Sequence, residues 1–593
     1  MTIAIQTYTS VASLQADTAL TPGQIVQTLG YSQPGIGGNT YEIVTAAGTP
    51  DSGSLLALDN SAVMARGLFP GGKVNVSQFG AQAGADSSDA FEDALAFAIE
   101  VQVTAADQPY QISRELNAST CRRLLSEGAA LHFTSVQDQR GLVFPDSNGL
   151  RLHGFTFSTQ GTVDQFISGG AGGDIEIRDN TFDHAGCTDV MDSYLGGIYL
   201  YQVNNVRIHD NVFMNGWRDK TYNAGNVGGN NLHRTVFINN NSQSDIHISH
   251  NDFDNVWSAV YAGNCNNLYL THNKVANTAD TGFFDRCTGG VTRNKFFLNN
   301  IFKNIGKSAM KPLDSNNESA WGEDAWVDGN IVDGWGMHID SGCILSGRNY
   351  VTNVGYMQSD IKSKRLKITN NTLIQSSDDG SSMLFQLVNM EDVSLENNTI
   401  RTEYDAGEKH YLTMHCKNVN VSNNQFDHKG SIHLAYKHEG DFLFNSNQVT
   451  IGDALVMEKK TTGINQRLIC NNNQITNINS NPLRVYGLST LNISSGFSLI
   501  FTGNHVKTMI NKQDGNSAGN VNMLGVSGTQ NNIIDNNLIE FSDTVSTQKM
   551  LAGDILHPVY YGDVQGAARM NSGVINYKTG SDRAAAVHSL AQV

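Results

Sequence analysis

A short phrase recurs along this chain and constrains its fold more than any other feature. It consists of two or three alternating apolar residues, one or two polar residues, an asparagine, one further residue and an apolar residue. Early copies are IEIRDNTF and VRIHDNVF, and later ones include LKITNNTL and VSLENNTI. Units of this size cannot bury a core alone, so they must stack on one another. The marked asparagines are Asn180, Asn211, Asn251, Asn273, Asn300, Asn330, Asn371, Asn398, Asn424, Asn447, Asn473, Asn504 and Asn537.

Each copy predicts a strand, a sharp corner and a second strand. Val206 and Ile208 alternate with Arg207 and His209, which indicates one inward and one outward face. Asparagine tolerates left-handed backbone and bonds its neighbours, so it suits a corner, and stacked corners can form an amide ladder. The pattern predicts an all-β fold, a right-handed parallel β-helix. It excludes a leucine-rich repeat, because a leucine ladder and a regular period are missing.

The spacing of the marked asparagines predicts where the turns lie. Most spacings are 22 to 33 residues, and two are 40 and 41. We interpret the second wide gap, from Asn330 to Asn371, as hiding one degenerate turn around Asn353. The inward positions, which we expect to be buried, include Ile208, Phe213, Ile246, Phe253, Ile368 and Leu373.

The ends of the repeat region suggest three domains. Residues 1–72 form a turn-rich N-terminal unit, residues 73–545 the β-helix, and residues 546–593 a C-terminal segment of unclear fold that could serve trimerisation. An amphipathic helix is expected at the entry to the β-helix, where it would cap the exposed strand edges. Its N-cap candidates are Ser87, Ser88 and Asp89. Its apolar face consists of Ala90, Phe91, Ala94, Leu95, Ala98 and Ile99.

Charge and composition exclude several classes of protein. The net charge is −17, from 39 basic and 56 acidic residues, so no positive field exists to hold nucleic acid. No run approaches 18 apolar residues, which argues against membrane insertion, and the stretch from Met1 to Leu20 does not resemble a conventional secretion signal. The seven cysteines are scattered without a CxxC pair, which favours free buried thiols in a reducing cytoplasm. No metal site and no cofactor are expected.

Two stretches near the N-terminus resemble segments of bacteriophage tailspikes. The first resembles a segment near the start of these proteins, and it comprises Val11, Ala12, Ser13, Leu14, Leu20, Gly23, Ile25, Val26, Thr28, Gly30, Tyr31, Gly35, Gly38 and Tyr41. The second resembles the opening of their pectate-lyase-like β-helix, and it comprises Val76, Ser77, Gln78, Phe79, Gly80, Ala81, Gly84, Asp86, Asp89 and Ala94. With the asparagine repeats, the resemblance spans residues 8 to 545. It departs at Gly35-Ile36-Gly37-Gly38, where the first motif commonly has Gly-Asp-Gly.

The resemblance implies a homotrimer on the phage tail that binds and usually cleaves bacterial surface polysaccharide, either capsule or O-antigen. The protein would be made in the host cytoplasm and would act in the virion at the bacterial surface. The N-terminal unit would attach it to the tail or to another tail protein.

An outward column of charged residues is the first candidate site. A solenoid presents one outward residue per turn, about 4.8 Å apart. We align Phe284-Asp285 with Met310-Lys311 and with Ile339-Asp340, taking the second member of each pair as outward. Asp360 continues the column. The flanking residues are Arg286, Asp314 and Lys362.

An expected insertion from Ser315 to Asp328 borders this column. It carries Trp321, Glu323, Asp324 and Trp326, and Trp335 follows, a composition that suits sugar binding because indole faces stack on pyranose rings. Hydrolysis of a glycosidic bond needs two carboxylates. Asp285 and Asp340, two turns apart with Lys311 between them, are the first catalytic candidates. Asp314 and Glu323 are the alternates, and Arg286, Lys311, Trp321, Trp335, Asp360 and Lys362 are the expected substrate-binding residues.

Several alternatives remain open from the sequence. The aspartate–lysine column could be a salt-bridge ladder on a solvated face. The basic cluster Lys362, Lys364, Arg365 and Lys367 is interpreted as an exposed face, or as an anion site if the glycan is acidic. A polysaccharide lyase on the same fold would need a base and charge neutralisation, which Lys311 and Arg286 could supply. A non-enzymatic adhesin that only grips glycan is the other rival to a depolymerase.

Overall fold

The computed structural model has two units, Met1–Cys265 and Asn266–Val593. The described residues are 5–134, 140–161, 163, 165–186, 197–216, 234–240, 244–306, 308–315, 321–335, 343–348, 363–375, 383–402, 410–429, 432–436, 440–452, 455–459, 467–478, 489–493, 498–508, 521–526, 530–535, 537–541, 548–552, 559–561 and 564–565.

The N-terminal unit begins with a small sheet of its own. A short helix, Val11–Gln15, packs Val11 and Leu14 into a core with Tyr41 and Ile43. Its cap is a reciprocal pair of hydrogen bonds between Ser10 and Ser13. The five strands, in sheet order, are Gln6–Tyr8, Ile25–Thr28, Thr40–Thr45, Val63–Leu68 and Leu55–Ala57.

The rest of the N-terminal unit is a parallel solenoid whose turns each contribute to three sheets. Two long strands, Arg123–Phe133 and Arg151–Thr159, bend from the first sheet into the second. The first sheet also contains Lys73–Asn75, Glu100–Val103, Gly172–Arg178, Val203–His209 and Ile246–Ser249. The second contains Tyr110–Ile112, Thr181–Asp183, Val212–Met214 and Asp252–Asp254. The third contains Leu116–Asn117, Arg140–Phe144, Gln165–Gly169, Ile198–Tyr201, Arg234–Asn239 and Ser258–Gly263.

The C-terminal unit repeats the same three-sheet turn. Its long strands Met383–Glu396 and His410–Ser422 run from the third sheet into the first. The first sheet also contains Leu268–Thr271, Val291–Leu298, Trp321–Asp328, Ser363–Thr369, Phe442–Asn445, Arg467–Asn471, Ser498–Thr502, Gln530–Asp535 and Val559–Tyr561. The second contains Lys274–Thr278, Ile301–Ile305, Ile331–Trp335, Thr372–Gln375, Thr399–Thr402, Gln425–His428, Gln448–Ile451, Gln474–Asn477, His505–Thr508, Asn537–Phe541 and Val564–Gln565. The third contains Phe283–Cys287, Ser308–Ser315, Cys343–Arg348, Ile432–Tyr436, Leu455–Lys459, Ser489–Ile493, Val521–Val526 and Gln548–Ala552.

These strands confirm the all-β parallel solenoid predicted from the repeats. Stacked strands continue past residue 545 as far as Gln565, so the solenoid reaches further along the chain than the asparagine phrases do.

Within each unit the marked asparagines form the predicted ladder, from Asn180 to Asn251 in one and from Asn273 to Asn537 in the other, and all of them are buried. In the C-terminal unit, Asn371 donates its backbone N–H and its side-chain amide to Oδ1 of Asn398, both at 2.9 Å. Asn398 bonds Asn424 in the same way. Among the described residues, the left-handed residue of the corner is the one just before the ladder asparagine, such as Asn370 or Asn397, rather than the ladder asparagine itself. The residue before the ladder asparagine therefore adopts the left-handed backbone, and the ladder asparagine itself makes the amide hydrogen bonds.

The expected degenerate turn around Asn353 is wrong. Asn330 donates directly to Oδ1 of Asn371 at 2.9 Å, and strand Trp321–Asp328 pairs with Ser363–Thr369. Adjacent ladder asparagines leave no room for a turn between them. The extra length belongs to the same turn and includes strand Cys343–Arg348, while Asn353 itself lies outside the described residues.

The inward positions are confirmed: Ile208, Phe213, Ile246, Phe253, Ile368 and Leu373 are at most 1% exposed. Within the N-terminal unit, inward phenylalanines stack along the axis. Phe182 lies 4.8 Å from Phe213, and Phe213 lies 4.8 Å from Phe253, between ring centroids. This spacing equals the separation of neighbouring strands, so each turn supplies one ring to a continuous core.

The predicted helix exists as Ser88–Phe97, and it buries Ala90, Phe91, Ala94 and Leu95. It contacts the short helix Val76–Phe79 and strand Leu116–Asn117. The expected apolar face is wrong at its end, because Ala98 is already extended and Ile99 is 60% exposed. Ser87 is the N-cap residue but makes no capping side-chain bond.

Two smaller expectations can be compared with the fold. Cys121, Cys265, Cys287, Cys416 and Cys470 are free and buried, as predicted for these five, while the side chains of Cys187 and Cys343 lie outside the described part. Within the described ranges, no helix has the length and apolar character needed to cross a membrane.

Candidate functional site

Asp285 does not lie on the outward face, which corrects the first catalytic candidate. Phe283 pairs with Met310, and Phe284 pairs with Lys311, so the sequence alignment was one residue out of register. A slip of one residue moves every side chain of a strand to the opposite face. Asp285 therefore points into the coil, where its side chain is 0% exposed and cannot contact a polysaccharide.

The interior holds Asp285 as one half of an ion pair. Lys295 Nζ, also 0% exposed, lies 2.7 Å from Asp285 Oδ1. The backbone N–H of Leu313 donates to Oδ2 at 3.1 Å. Leu313 has a φ of 58° at a bulge where two residues oppose Asp285. The carboxylate thus satisfies both the lysine and the bulged backbone, and its role is structural.

Lys311 and Arg286 do lie on the outer face of the third sheet. Lys311 Nζ is 5.1 Å from the ring centroid of Phe284, and Arg286 Cζ is 5.8 Å from it. Arg286 Nε is buried and has no hydrogen-bond partner within the described part of the chain. Lys311 does not lie between two outward aspartates, because Asp285 is on the other side of the sheet.

The remaining candidates of this column are only partly placed. Asp314 pairs with Arg286 through the backbone, and Trp335 pairs with Ile305, but the side chains of Asp314 and Trp335 lie outside the described residues. Asp340, Asp360 and Lys362 lie outside them altogether.

The segment expected as an insertion from Ser315 to Asp328 is largely strand. Ser308–Ser315 and Trp321–Asp328 are both paired with neighbouring turns. Asp324 has a φ of 61°, a left-handed kink that interrupts the alternation of the strand. The side chains of Glu323 and Asp324 therefore both face outward, between the buried Gly322 and Ala325.

Glu323 is the one catalytic candidate that the structure places on an outer face. Arg293 Nε donates to it at 3.0 Å, Arg365 Nη2 at 2.9 Å, and Trp321 Nε1 at 3.2 Å. Burial acts to raise the pKa of Glu323, but these hydrogen bonds and the arginine charges outweigh it and hold the pKa below its usual range. A carboxylate held ionised in this way can stabilise positive charge or act as a base, but it does not serve as an acid.

A groove of about 490 Å³ lies beside Glu323 on the outer face of the first sheet, and we call it the outer groove. Its lining mixes an indole, charged groups, amides and a hydroxyl, which is the mixture that carbohydrate sites use. It belongs wholly to the C-terminal unit. The lining residues are Asp324, Trp326, Arg365, Lys367, Asp392, Val393, Ser394, Asn418, Val419, Asn420, Asp441 and Leu443.

Two carboxylates flank an arginine on successive turns of the outer groove. Glu323 pairs with Lys364 and Lys364 with Glu391, so the following residues, Asp324, Arg365 and Asp392, are stacked in register. Arg365 donates to both oxygens of Asp324, at 2.5 and 3.0 Å. Two turns separate the backbones of Asp324 and Asp392 by roughly 9–10 Å. Side-chain orientation can place such a pair in the range of about 6.5–9.5 Å used by inverting glycosidases.

The environments of the two carboxylates differ. Hydrogen bonds from Arg365 lower the pKa of Asp324, and the arginine charge adds to this. Asp392 is exposed and accepts a hydrogen bond from the neutral amide of Asn418, at 2.9 Å. Among the described residues, Asp324 is held in an ion pair and Asp392 is not.

An aromatic ladder ends at the outer groove. Tyr269, Phe296 and Trp326 stack with centroids 4.7 and 4.8 Å apart and nearly parallel planes. The next turn places Lys367 in register with Trp326. One face of the indole is covered by Phe296, and the opposite face borders Lys367 and the groove.

A ladder of alternating charge runs beside the groove. Glu391 binds Lys364 at 3.5 Å and Lys417 at 3.1 Å. Hydrogen bonding to Lys417 lowers the pKa of Glu391, although burial opposes the shift. This ladder differs from the alternative expected for Asp285, Lys311 and Asp340, because Asp285 lies inside the coil and Asp340 lies outside the described residues.

A recurring left-handed corner in the sequence marks the column that contains Asp324 and Asp392. A second left-handed corner lies six positions before several of the ladder asparagines, as Asp324 precedes Asn330 and Asp392 precedes Asn398. Asn294 and Asn418 keep the same spacing. Aligning the repeats on this corner would have placed Asp324, Arg365 and Asp392 in one column.

A second groove, of about 810 Å³, belongs to the N-terminal unit, and its lining includes Ser126, His153 and Arg178. His153 Nε2 lies 3.2 Å from Glu176, which also meets His209 at 3.4 Å. Burial is the main cause that lowers the pKa of His153. The residues lining this groove include no phenylalanine, tyrosine or tryptophan, which distinguishes it from the outer groove.

No family model matches this chain, and no curated protein matches it. Among solved structures, it is similar to PfbA, a surface adhesin of Streptococcus pneumoniae, with 14% sequence identity and a TM-score of 0.37. The similarity covers 69% of this chain and 90% of the PfbA chain. This chain is also similar to a tailspike of Acinetobacter baumannii bacteriophage Fri1, a capsular polysaccharide depolymerase, with 12% identity, coverage of 94% and 76%, and a TM-score of 0.28.

A third similar structure is a double mutant of the tailspike of E. coli bacteriophage HK620 in complex with a pentasaccharide, with 12% identity. The similarity covers 79% of this chain and 78% of the HK620 tailspike chain, with a TM-score of 0.34. The function proposed below rests on the outer groove and on the sequence motifs rather than on these similarities.

Proposed function

We propose that this chain is a phage tailspike that binds bacterial surface polysaccharide, either capsule or O-antigen, and depolymerises it by hydrolysing internal glycosidic bonds. The observation that carries the proposal is the stack of Asp324, Arg365 and Asp392 in a groove that is also lined by Trp326. An extended glycan can follow a groove that continues over several turns. The tailspike resemblance of the N-terminal stretches supports the same function.

Each residue has a role in this proposal. Asp324, kept ionised by Arg365, activates the attacking water, and Asp392 carries the proton that the leaving oxygen receives. Glu323 fixes Arg293 and Arg365 in place. Trp326 stacks a sugar ring.

The assembly is part of the proposal. The chain would form a homotrimer on the virion tail, with residues 1–72 attaching it to the tail or to a tail protein, helix Ser88–Phe97 capping the β-helix, and the C-terminal segment assisting trimerisation. Light scattering is expected to give three times the 64.3 kDa of one chain. A stable monomer in solution would contradict this part.

The activity is tested with polysaccharide purified from strains that the protein binds as whole cells. Asp324→Asn and Asp392→Asn each keep the shape of the side chain and remove its titrating group. The release of reducing ends should fall by about 10²- to 10⁴-fold in each variant, while whole-cell binding persists. Asp427→Asn, on the second sheet away from the groove, is the matched control and should keep normal activity.

Near-normal activity of both groove variants would defeat the assigned roles. Asp314 and Asp340 are then the next residues to substitute, as the sequence analysis expects. If the wild-type protein binds the polysaccharide but releases no reducing ends, the chain is an adhesin.

A lyase is the second candidate function, and the surroundings of Arg286 favour it. Its buried, unpartnered Nε and the nearby Lys311 could neutralise a uronate and abstract a proton. Elimination would produce an unsaturated sugar that absorbs in the ultraviolet, whereas hydrolysis would not. Product absorbance therefore decides between the two.

A further inference from the structure

Most cations around the outer groove already have a carboxylate partner. Arg365 is shared by Glu323 and Asp324. Lys364 and Lys417 share Glu391. An ion pair leaves little charge to attract a ligand, so these residues shape the groove more than they select what enters it.

Arg467 is also paired, with Asp441 at 2.9 Å. Lys367 differs from all of these cations. It lines the groove, its side chain is exposed, and it forms no ion pair or hydrogen bond within the described part of the chain.

The position of Lys367 next to Trp326 gives this free charge a specific geometry. The two residues are in register on neighbouring turns, about 4.8 Å apart along the axis. Both residues line the groove, so a pyranose ring that packs against the indole there would lie beside the lysine. A hexuronic acid carries its carboxylate on the ring edge, so stacking and an ammonium–carboxylate bond can form together.

The positive charge of Lys367 favours an acidic sugar at this place in the groove, although the chain as a whole is negatively charged. The chain has a net charge of −17, which repels anions in general. Of the two cations that line the groove, Arg365 has carboxylate partners and Lys367 has none among the described residues. A neutral hydroxyl accepts a weaker hydrogen bond from this ammonium group than a carboxylate does.

We propose that the outer groove accepts an acidic polysaccharide and that Lys367 selects it by binding the carboxylate of a sugar stacked on Trp326. This inference rests on the proposed function, since it concerns the same groove. It goes beyond that function by naming the chemical class of the glycan and the residue that recognises it.

The test uses surface polysaccharide purified from a strain that the protein binds, before and after chemical reduction of its carboxyl groups to alcohols. Wild-type protein should bind the reduced form about 10- to 100-fold more weakly, the usual range for losing one charged hydrogen bond. Lys367→Gln should lose a similar factor on the native polysaccharide and should no longer distinguish the two forms. Lys367→Arg should retain most of the affinity.

Lys303→Gln is the matched control, because Lys303 is an exposed lysine on the second sheet and lies outside the groove. It should bind like wild type.

The inference is overturned if the bound polysaccharide contains no acidic sugar, or if Lys367→Gln binds both forms as wild type does. Continued depolymerisation of a neutral polysaccharide would overturn the inference and leave the proposed function intact. Failure to bind polysaccharide from any strain would defeat the proposed function itself, and the inference with it.

Discussion

Two aspartates of the C-terminal unit each pair with a cationic side chain, one inside the coil and one on its outer face. Asp285 lies inside the coil and meets Lys295, with both side chains 0% exposed. Asp324 lies on the outer face, 22% exposed, and meets Arg365, which is 44% exposed. The first pair sits where water cannot compensate a lost partner, and the second borders a groove where a ligand can replace water. Burial, rather than residue type or pairing, separates the structural aspartate from the functional candidate.

The largest effect is expected from breaking the interior pair. Asp285→Asn leaves an uncompensated lysine in the core and should lower the free energy of unfolding by about 3–5 kcal/mol. Asp324→Asn should lower it by less than about 1 kcal/mol, because a partly exposed pair contributes little. Urea unfolding of both variants measures the difference.

A double replacement provides the control for this prediction. Asp285→Leu combined with Lys295→Met removes both charges and should recover much of the lost stability. Equal destabilisation by Asp285→Asn and Asp324→Asn would show that the two pairs do not differ as their burial indicates.

Buried and exposed asparagines allow the same comparison of burial for neutral side chains. Asn398 is buried and bonds the carbonyl of Ile368 at 2.8 Å and Asn424 at 3.0 Å. Asn398→Ala should cost about 2–3 kcal/mol, because it leaves buried polar groups without partners. The denaturation midpoint of this variant measures the loss.

The exposed amide pair Asn304–Asn277, at 3.0 Å, is the counterpart outside the coil. Asn304→Gly should cost less than about 0.5 kcal/mol, since a glycine already occupies the left-handed corner one turn later, at Gly334. Similar losses from both asparagine variants would argue against the ladder as a buried network.

The smallest effect concerns pH. Because hydrogen bonds from Arg365 lower the pKa of Asp324, the pair stabilises the fold above the unfolded aspartate pKa of about 3.9. This contribution disappears as pH falls through the lower pKa of the folded state. Arg365→Gln should therefore be slightly less stable than wild type at pH 7 and indistinguishable from it at about pH 2.

Urea midpoints of the two proteins across this pH range measure the difference. A gap that persists unchanged at acidic pH would show that Arg365 stabilises the fold through packing rather than through charge.

The sequence predicted the repeat, the corner and the inward set well, because these depend on periodicity. Ile368 and Leu373 are buried as expected, and Asn371 lies in the ladder. Periodicity could not show whether the side chains of Phe284 and Asp285 face into the coil or outward. Two adjacent phenylalanines, Phe283 and Phe284, fit either register, and an inward aspartate is acceptable only if a partner such as Lys295 is buried with it.

The position of the candidate site therefore depends on the register between turns, which the sequence does not show. Glu323 and Trp321 were named, and the structure brings them together with Arg293 and Arg365. The expected neighbour Asp285 lies inside the coil instead.

By itself, the sequence determined the parallel solenoid, its asparagine ladder and its buried positions, because each follows from a residue type recurring at a fixed place in the turn. Only the tertiary structure decided which charged residues share a surface. Stacking fixes the register between turns, and the bulge at Leu313 and the left-handed kink at Asp324 shift side chains relative to the simple alternation. One residue of register separates an aspartate that holds the core together from one that can meet a substrate, and that shift depends on pairing between turns rather than on any local pattern.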